Sequence, residues 1–220
     1  MAGPSLEVAP TLLGARLVRD DETGRRVARI VEVEAYIGVD DRASHARFGP
    51  TDRNRVMFGP PGVAYVYLVY GMYDCLNVVT ESEGRAAALL IRAAEPLEGV
   101  DLMRGDRLAL DRRRRRSRTP DGEAAARRRL DRTPDVTLAS GPGRLAAAFG
   151  IDTTWTGRDL CDPASPLRLE RDLVTDRVAD DAIVTTPRVG VSYAGPDWSD
   201  RPWRFSVAGH PSVSRPGTAG

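Results

Sequence analysis

Residues 64–80 read AYVYLVYGMYDCLNVVT, and no other stretch restricts the fold of the chain as tightly. Two runs rich in Val, Tyr and Leu flank Gly71. β-Branched and aromatic residues in alternation suit a pleated, half-buried strand. A tight glycine connection makes the runs antiparallel neighbours, so the sequence predicts a hairpin over 64–70 and 74–80. AAALLIRAAEP (86–96) reads as a third strand stopped by Pro96, and ARIVEVEAYIG (28–38) as another, closed by Gly38. LVRD at 17–20, PRVGVSYAG (187–195) and PWRFSVAG (202–209) are shorter strand candidates. Helices are expected over 97–108 and over 139–151, the latter preceded by Ser140, with Pro142 in its first turn and Gly150 at its end. The stretch 39–62 reads as a long loop with room for one short helix, and 152–187 as an acidic loop. The expected class is α+β: one domain, 1–220, with a mostly antiparallel, curved sheet, a projecting β-hairpin and surrounding helices.

Charge adds two constraints. The net charge is +1, yet all 32 basic residues are arginine, so no lysine side chain can form a Schiff base. The charges are also segregated: residues 101–135 carry 12 Arg against 7 Asp/Glu, whereas 150–181 carry 4 Arg against 8. A basic zone of this kind fits an anionic partner such as nucleic acid, and equally a solvated surface. The run RRRRRSR (112–118) lies in a polar stretch, 112–135, that reads as a solvated helix or a loose insertion. Two cysteines, Cys75 and Cys161, fit free thiols in a reducing compartment. With no run of 18 apolar residues and no secretory leader pattern at the N-terminus, the expectation is a cytoplasmic, nucleoid-associated protein without a signal peptide and without membrane contact.

Side chains on a strand alternate faces. On 28–38 this puts Val31, Val33, Ala35 and Ile37 on an apolar face, and Ile30, Glu32, Glu34 and Tyr36 on the other. An uncovered second face would make the glutamates ordinary surface groups; covered by a loop such as 39–62, a carboxylate beside an aromatic becomes a catalytic candidate. The histidines, His45 and His210, have no metal-ligand spacing with the cysteines, so no metal or cofactor is expected. SGPG (140–143) opens a helix and suits either a phosphate or plain capping. Of the chain's six tyrosines, four lie within 65–73: Tyr65 and Tyr67 share a face, whereas Tyr70 stands at the turn, where a ring has no core of its own to pack into.

Several of these segments together resemble one family, the alkyladenine (3-methyladenine) DNA glycosylases. The resemblance rests on LLGARLVR (12–19), VEVEAYIG (31–38), His45, RNRVMF (53–58), YVYLVYGMYDCLN (65–77), LLIRAAEPLEG (89–99), SGPGRL (140–145), RVGVSYAG (188–195) and RPWRF (201–205). It covers residues 11–210 and leaves 112–135 as an Arg-rich insertion. It implies a base-excision-repair enzyme that flips alkylated or deaminated purines out of double-stranded DNA and acts as a monomer. Residue by residue, it makes Glu34 the base that activates water. Arg92 and the main-chain carbonyl of Val189 help to place that water. Tyr36, His45 and Tyr67 form the walls of the base pocket, and Asn77 screens out normal guanine. Tyr70 is implied as the wedge that fills the vacated duplex, with Met72 and Tyr73 beside it. Arg144 and Gly190 are implied as DNA contacts. Tyr65 receives no chemical role and is read as packing.

Physical chemistry fits this resemblance. A base must leave the stack before its glycosidic carbon can be attacked, at a cost of a few kcal/mol. A cationic alkylpurine stacks well on electron-rich rings, by roughly 0.5–2 kcal/mol. It is also a good leaving group, so one carboxylate can suffice where sugar hydrolases use two. Without lysine, amine-type strand cleavage is not expected. Other readings of the same residues are a nucleoside hydrolase, a lesion-binding module without catalysis, and an RNA- or protein-binding domain resting on the arginine run.

Overall fold

A computed structural model describes residues 1–114, 119–172 and 176–214, with the side chains of 112–114 excepted. Of the RRRRRSR run, 112–114 are described in backbone only, at the end of a helix, and 115–118 lie outside the described residues. Eight strands are described: β1 (Arg16–Asp21), β2 (Gly24–Ile37), β3 (Ala64–Val69), β4 (Tyr73–Val79), β5 (Ala87–Glu98), β6 (Leu167–Glu170), β7 (Ile183–Thr186) and β8 (Arg204–Val207). Every pairing is antiparallel, in the order β3-β4-β5-β2-β1-β6, and the sheet is curled. The fourteen residues of β2 form the spine. One edge pairs with β5 along its length; the other takes β1 over Gly24–Arg29 and β8 over Glu32–Glu34, and β8 carries β7. Among the described residues there are five α-helices: α1 (Ser5–Leu12), α2 (Val100–Arg114), α3 (Pro120–Asp131), α4 (Pro142–Ala148) and α5 (Pro196–Ser199).

The main core lies between the sheet and α1, α2 and α4, and includes Leu12, Leu17, Ile30, Leu76, Ile91, Met103, Leu145 and Phe149. A strict alternation along β2 fails at Val31. Ile30 opposes Ala94 while Glu32 opposes Ala93, so Val31 is an extra, bulged residue. Ala28 and Ile30 before the bulge, and Val33, Ala35 and Ile37 after it, face the main core, and Val31 does not join them. Glu32 and Glu34 keep the other face but are fully buried there.

The hairpin forms as expected. Its turn closes by Met72 N–H on Val69 C=O at 2.9 Å, with Tyr70 at φ 52° and Gly71 at φ 67°. The helix expected over 97–108 appears as α2, beginning at Val100 and running on to Arg114, and that over 139–151 as the shorter α4 with no side-chain cap; its N-cap is Gly141, not Ser140. Three expectations are corrected. Pro96 does not stop β5: it pairs with Ala28 beside another register shift, where a missing N–H is tolerated, and the strand runs to Glu98. The 152–187 stretch contains β6 and β7, short edge strands with weak patterns of their own. The Pro-containing N-terminal segment, for which the sequence reading named no element, folds as α1, anchored by Ser5 Oγ on Glu81 Oε1 at 2.9 Å. Residues 187–195 are not a strand: Gly190 and Gly195 take φ of 76° and 83°, a short 3-10 turn spans Ser192–Ala194, and the Val189 amide is spent on a side chain. Within 112–135 the described part is α3, capped by Thr119 Oγ1 accepting from Gly122 N–H at 3.2 Å and packed through Ala126 and Leu130 onto Leu108.

Candidate active site

The bulges that disturb the β2–β5 ladder also build the site. Between Glu32↔Ala93 and Val33↔Ile91 the register skips Arg92, which is thus the unpaired residue of β5 opposite the two glutamates. A bulge re-aims a side chain. Here the guanidinium lies between both carboxylates, with Nε 2.8 Å from Glu32 Oε1 and Nη1 3.3 Å from Glu34 Oε2. Burial works against the Arg92 charge, but Glu34 and Glu32 outweigh it and its pKa is raised.

Glu34 has no exposed surface. Its Oε1 accepts the Val189 amide at 2.7 Å, and its Oε2 accepts the Tyr36 hydroxyl at 2.9 Å. Burial raises the carboxyl pKa; Arg92, the Val189 amide and the Tyr36 hydroxyl pull it back without cancelling the rise. The result is a carboxylate more basic than an ordinary glutamate, suited to taking a proton from water. The observed contact of Val189 is through its amide, whereas the resemblance implies a role for its carbonyl.

Tyr36, Arg92 and Val189 form the wall between Glu34 and a cavity of about 450 Å³. Also lining it are His45, Tyr67 and Asn77. The imidazole of His45 meets the Tyr67 ring edge-on at 4.5 Å. His45 is contributed by a 3-10 turn, His45–Phe48, in the 39–62 loop, which contains a second such turn at Arg55–Phe58. That loop covers the second face of the sheet: Ala46 and Met57 pack with Tyr65, Val79, Ala86 and Ala88. Burial, with Arg53 and Arg47 nearby, lowers the His45 pKa to about 4, so the ring is neutral near neutral pH. Burial and the neighbouring groups also keep Tyr36 and Tyr67 protonated, as electron-rich neutral walls. Asn77 is fixed, its amide nitrogen donating to the carbonyls of Tyr65 and Cys75 at 3.0 and 3.2 Å.

Tyr65 does more than pack. Its hydroxyl lies 3.0 Å from His45 Nδ1 and orients the imidazole. Arg188 is another residue that sequence reasoning passed over: its side chain fully buried, it grips Asp41 and lies 4.8 Å from the centre of the Tyr36 ring. Its place inside an apparent strand, RVGV, concealed it. Among the described residues no three or more His, Cys, Asp or Glu side chains gather as a metal-ligand set.

Of the expected DNA contacts, Tyr70 and Gly190 line the cavity, whereas Met72, Tyr73 and Arg144 lie outside it. Tyr70, at the hairpin tip, is 85% exposed, and Met72 and Tyr73 are half exposed beside it. The start of α4 abuts the hairpin: a Cβ on Gly143 would come 2.9 Å from the Tyr73 side chain, so the SGPG glycine serves close packing there. Arg144 is exposed on α4, its Nη1 donating to the Ser140 carbonyl at 3.4 Å. Gly190 lies at the cavity mouth with open space where a side chain would point. A second cavity, of about 850 Å³, adjoins the first along Tyr70, Cys75 and Arg92 and reaches Arg144 and Ser214.

Comparison with known proteins identifies the family of the chain. The family model for methylpurine-DNA glycosylase (MPG) matches residues 1–211. A protein of Methanocella arvoryzae is 47% identical over 212 residues, covering 96% of this chain and 92% of its own length. One from Streptomyces avermitilis is 44% identical over 214 residues, covering 97% and 87%, and one from Myxococcus xanthus is 42% identical over 214 residues, covering 97% and 90%. Each bears the name "Putative 3-methyladenine DNA glycosylase". The chain belongs to the methylpurine-DNA glycosylase family and is a DNA glycosylase of that type.

Proposed function

We propose that this chain, as a monomer, extrudes alkylated or deaminated purines from duplex DNA into the Tyr36–His45–Tyr67 cavity and hydrolyses the N-glycosidic bond with water activated by Glu34. The observation that carries the reading is the position of Glu34: a fully buried carboxylate with a raised pKa, directly behind a cavity walled by neutral aromatic rings. The substrate class is 3-methyladenine, 7-methylguanine, hypoxanthine and ethenoadenine. Tyr70 fills the vacated stack, flanked by Met72 and Tyr73; Arg144 and Gly190 meet the backbone, and Asn77 screens guanine by its exocyclic amine.

In the chemical step the water oxygen bonds to C1′ as the C1′–N bond breaks. The water proton passes to Glu34, and the bonding pair leaves with the base. A cationic alkylpurine departs neutral and needs no acid. A neutral His45 adds no repulsion against such a base, and the tyrosine faces attract it. Arg92 and the Val189 backbone hold the carboxylate and the water in line. With no lysine in the chain, the product is an intact abasic site.

The test is single-turnover release from duplexes carrying one lesion each, with the strands analysed for nicking. Base release without nicking supports the reading. Nicking that survives blocking of the N-terminal amine contradicts the monofunctional step. A nucleoside hydrolase would retain its activity in Tyr70→Ala, whereas release from duplex should collapse in that variant.

A further inference from the structure

Glu32 is a second fully buried carboxylate, and the excision step leaves its acid–base chemistry unused. Its lone pairs are nevertheless heavily engaged. Oε1 accepts from Arg92 Nε at 2.8 Å, from Arg204 Nε at 2.8 Å and from Ser214 Oγ at 2.9 Å. Oε2 accepts the Ser214 amide at 2.7 Å. Ser214 Oγ also accepts from Arg92 Nη2 at 3.2 Å, and the Ser214 carbonyl accepts from Arg204 Nη2 at 3.2 Å. A residue 182 positions along the chain from Glu32 thus completes the cage around the Arg92 guanidinium. In the segment leading to it, His210 Nε2 lies 3.6 Å from Glu95 Oε2.

A guanidinium is a planar fork that pairs with a carboxylate through two parallel donors when free to do so. Here Nε is committed to Glu32 and Nη2 to Ser214, which leaves Nη1 for Glu34. A two-pronged Arg92–Glu34 pair would neutralise the base more fully and weaken it. The negative charge of Glu32 acts in the same sense as the cage, raising the affinity of Glu34 for a proton.

We infer that Ser214 and Glu32 are positioning residues for base excision: together they restrict Arg92 to a single contact with Glu34, so the C-terminal segment 208–214 is a working part of the active site. This rests on Glu34 being the base.

The experiment measures single-turnover release of 7-methylguanine, a cationic lesion that needs no acid, across pH, with duplex binding and thermal melting measured alongside. Ser214→Ala keeps the backbone N–H on Glu32 and loses the hydroxyl. The rate should fall about tenfold, the scale of one charge-assisted hydrogen bond, with lesion-duplex binding unchanged. Ser214→Thr, which retains the hydroxyl, should recover most of the rate. Glu32→Gln should move the acid limb of the rate profile to lower pH, because Glu34 loses a negative neighbour and gains a freer Arg92. A folded Ser214→Ala enzyme with wild-type rate and acid limb overturns the inference, as does a Ser214→Thr enzyme as slow as the alanine variant. If Glu32→Gln does not fold, the Ser214 pair decides. Glu34→Gln is the control: base release by that variant overturns the assignment of the base itself, a result separate from any outcome at Ser214.

Discussion

Arg188 binds Asp41 through both terminal nitrogens, at 2.6 and 3.0 Å, with both side chains fully buried. The same guanidinium donates to the carbonyls of Ala35 and Trp198 and lies over the Tyr36 and Trp203 rings at 4.8 and 5.0 Å. Asp41 in turn accepts the amides of Ile37 and Ala43. One ion pair therefore ties together the end of β2, the start of the 39–62 loop and the segment that supplies Val189. Arg188→Met leaves Asp41 buried without its partner and should cost about 3–5 kcal/mol of stability, read from denaturant melts. Adding Asp41→Asn should recover part of that loss.

Tyr70 sits at φ 52°, in the left-handed region that bulky residues avoid. A residue held in such a conformation costs of order 1–3 kcal/mol, and an Asn-Gly pair suits a turn with two positive φ values. Tyr70→Asn should therefore raise the melting temperature slightly while lowering excision from duplex DNA at least tenfold. Melting and single-turnover assays on the same preparation read both. Loss of stability together with activity would mean that the ring packs rather than wedges.

Tyr65→Phe removes the hydroxyl that holds His45 Nδ1 while the ring stays in its apolar cluster. Excision should fall about tenfold, roughly the worth of one hydrogen bond, with the fold retained.

The raised pKa of Glu34 has a consequence for stability as well as for rate. The folded state holds this proton more tightly than the unfolded chain does. The stability gained from the group is thus full below the pKa of an unfolded glutamate, about 4.3, and lost as pH rises through the folded value. Glu34→Gln should consequently melt at a higher temperature than wild type at neutral pH, with the gap closing in acid. The wild-type rate should fall on the acid side at a pH above the ordinary glutamate range.

Much of this was legible in the sequence because alternation and turn chemistry are local. The β3–β4 hairpin and the central strands follow from Val, Tyr and Gly71 alone. The bulge at Val31 was not legible: its cause is the partner strand, where Ala93 and Ala94 meet three residues of β2. That bulge decides which face Ile30 and Val31 take. Residues 187–195 carry a strand-like pattern, yet the backbone there turns to give its amide to Glu34, a partner 155 positions away. Tyr65 read as packing for a similar reason, since its hydroxyl partner belongs to a loop without periodicity. The family resemblance named Glu34, Arg92 and the aromatic walls, but the residues that hold them, Arg188, Asp41, Glu32 and Ser214, emerge only from contacts across the fold.

The most direct test of the account is single-turnover release of 7-methylguanine from duplex DNA by Glu34→Gln beside wild type, with lesion-duplex affinity measured separately. The account predicts that release is abolished while binding stays close to wild type. Release at the wild-type rate by a folded Glu34→Gln enzyme would contradict it.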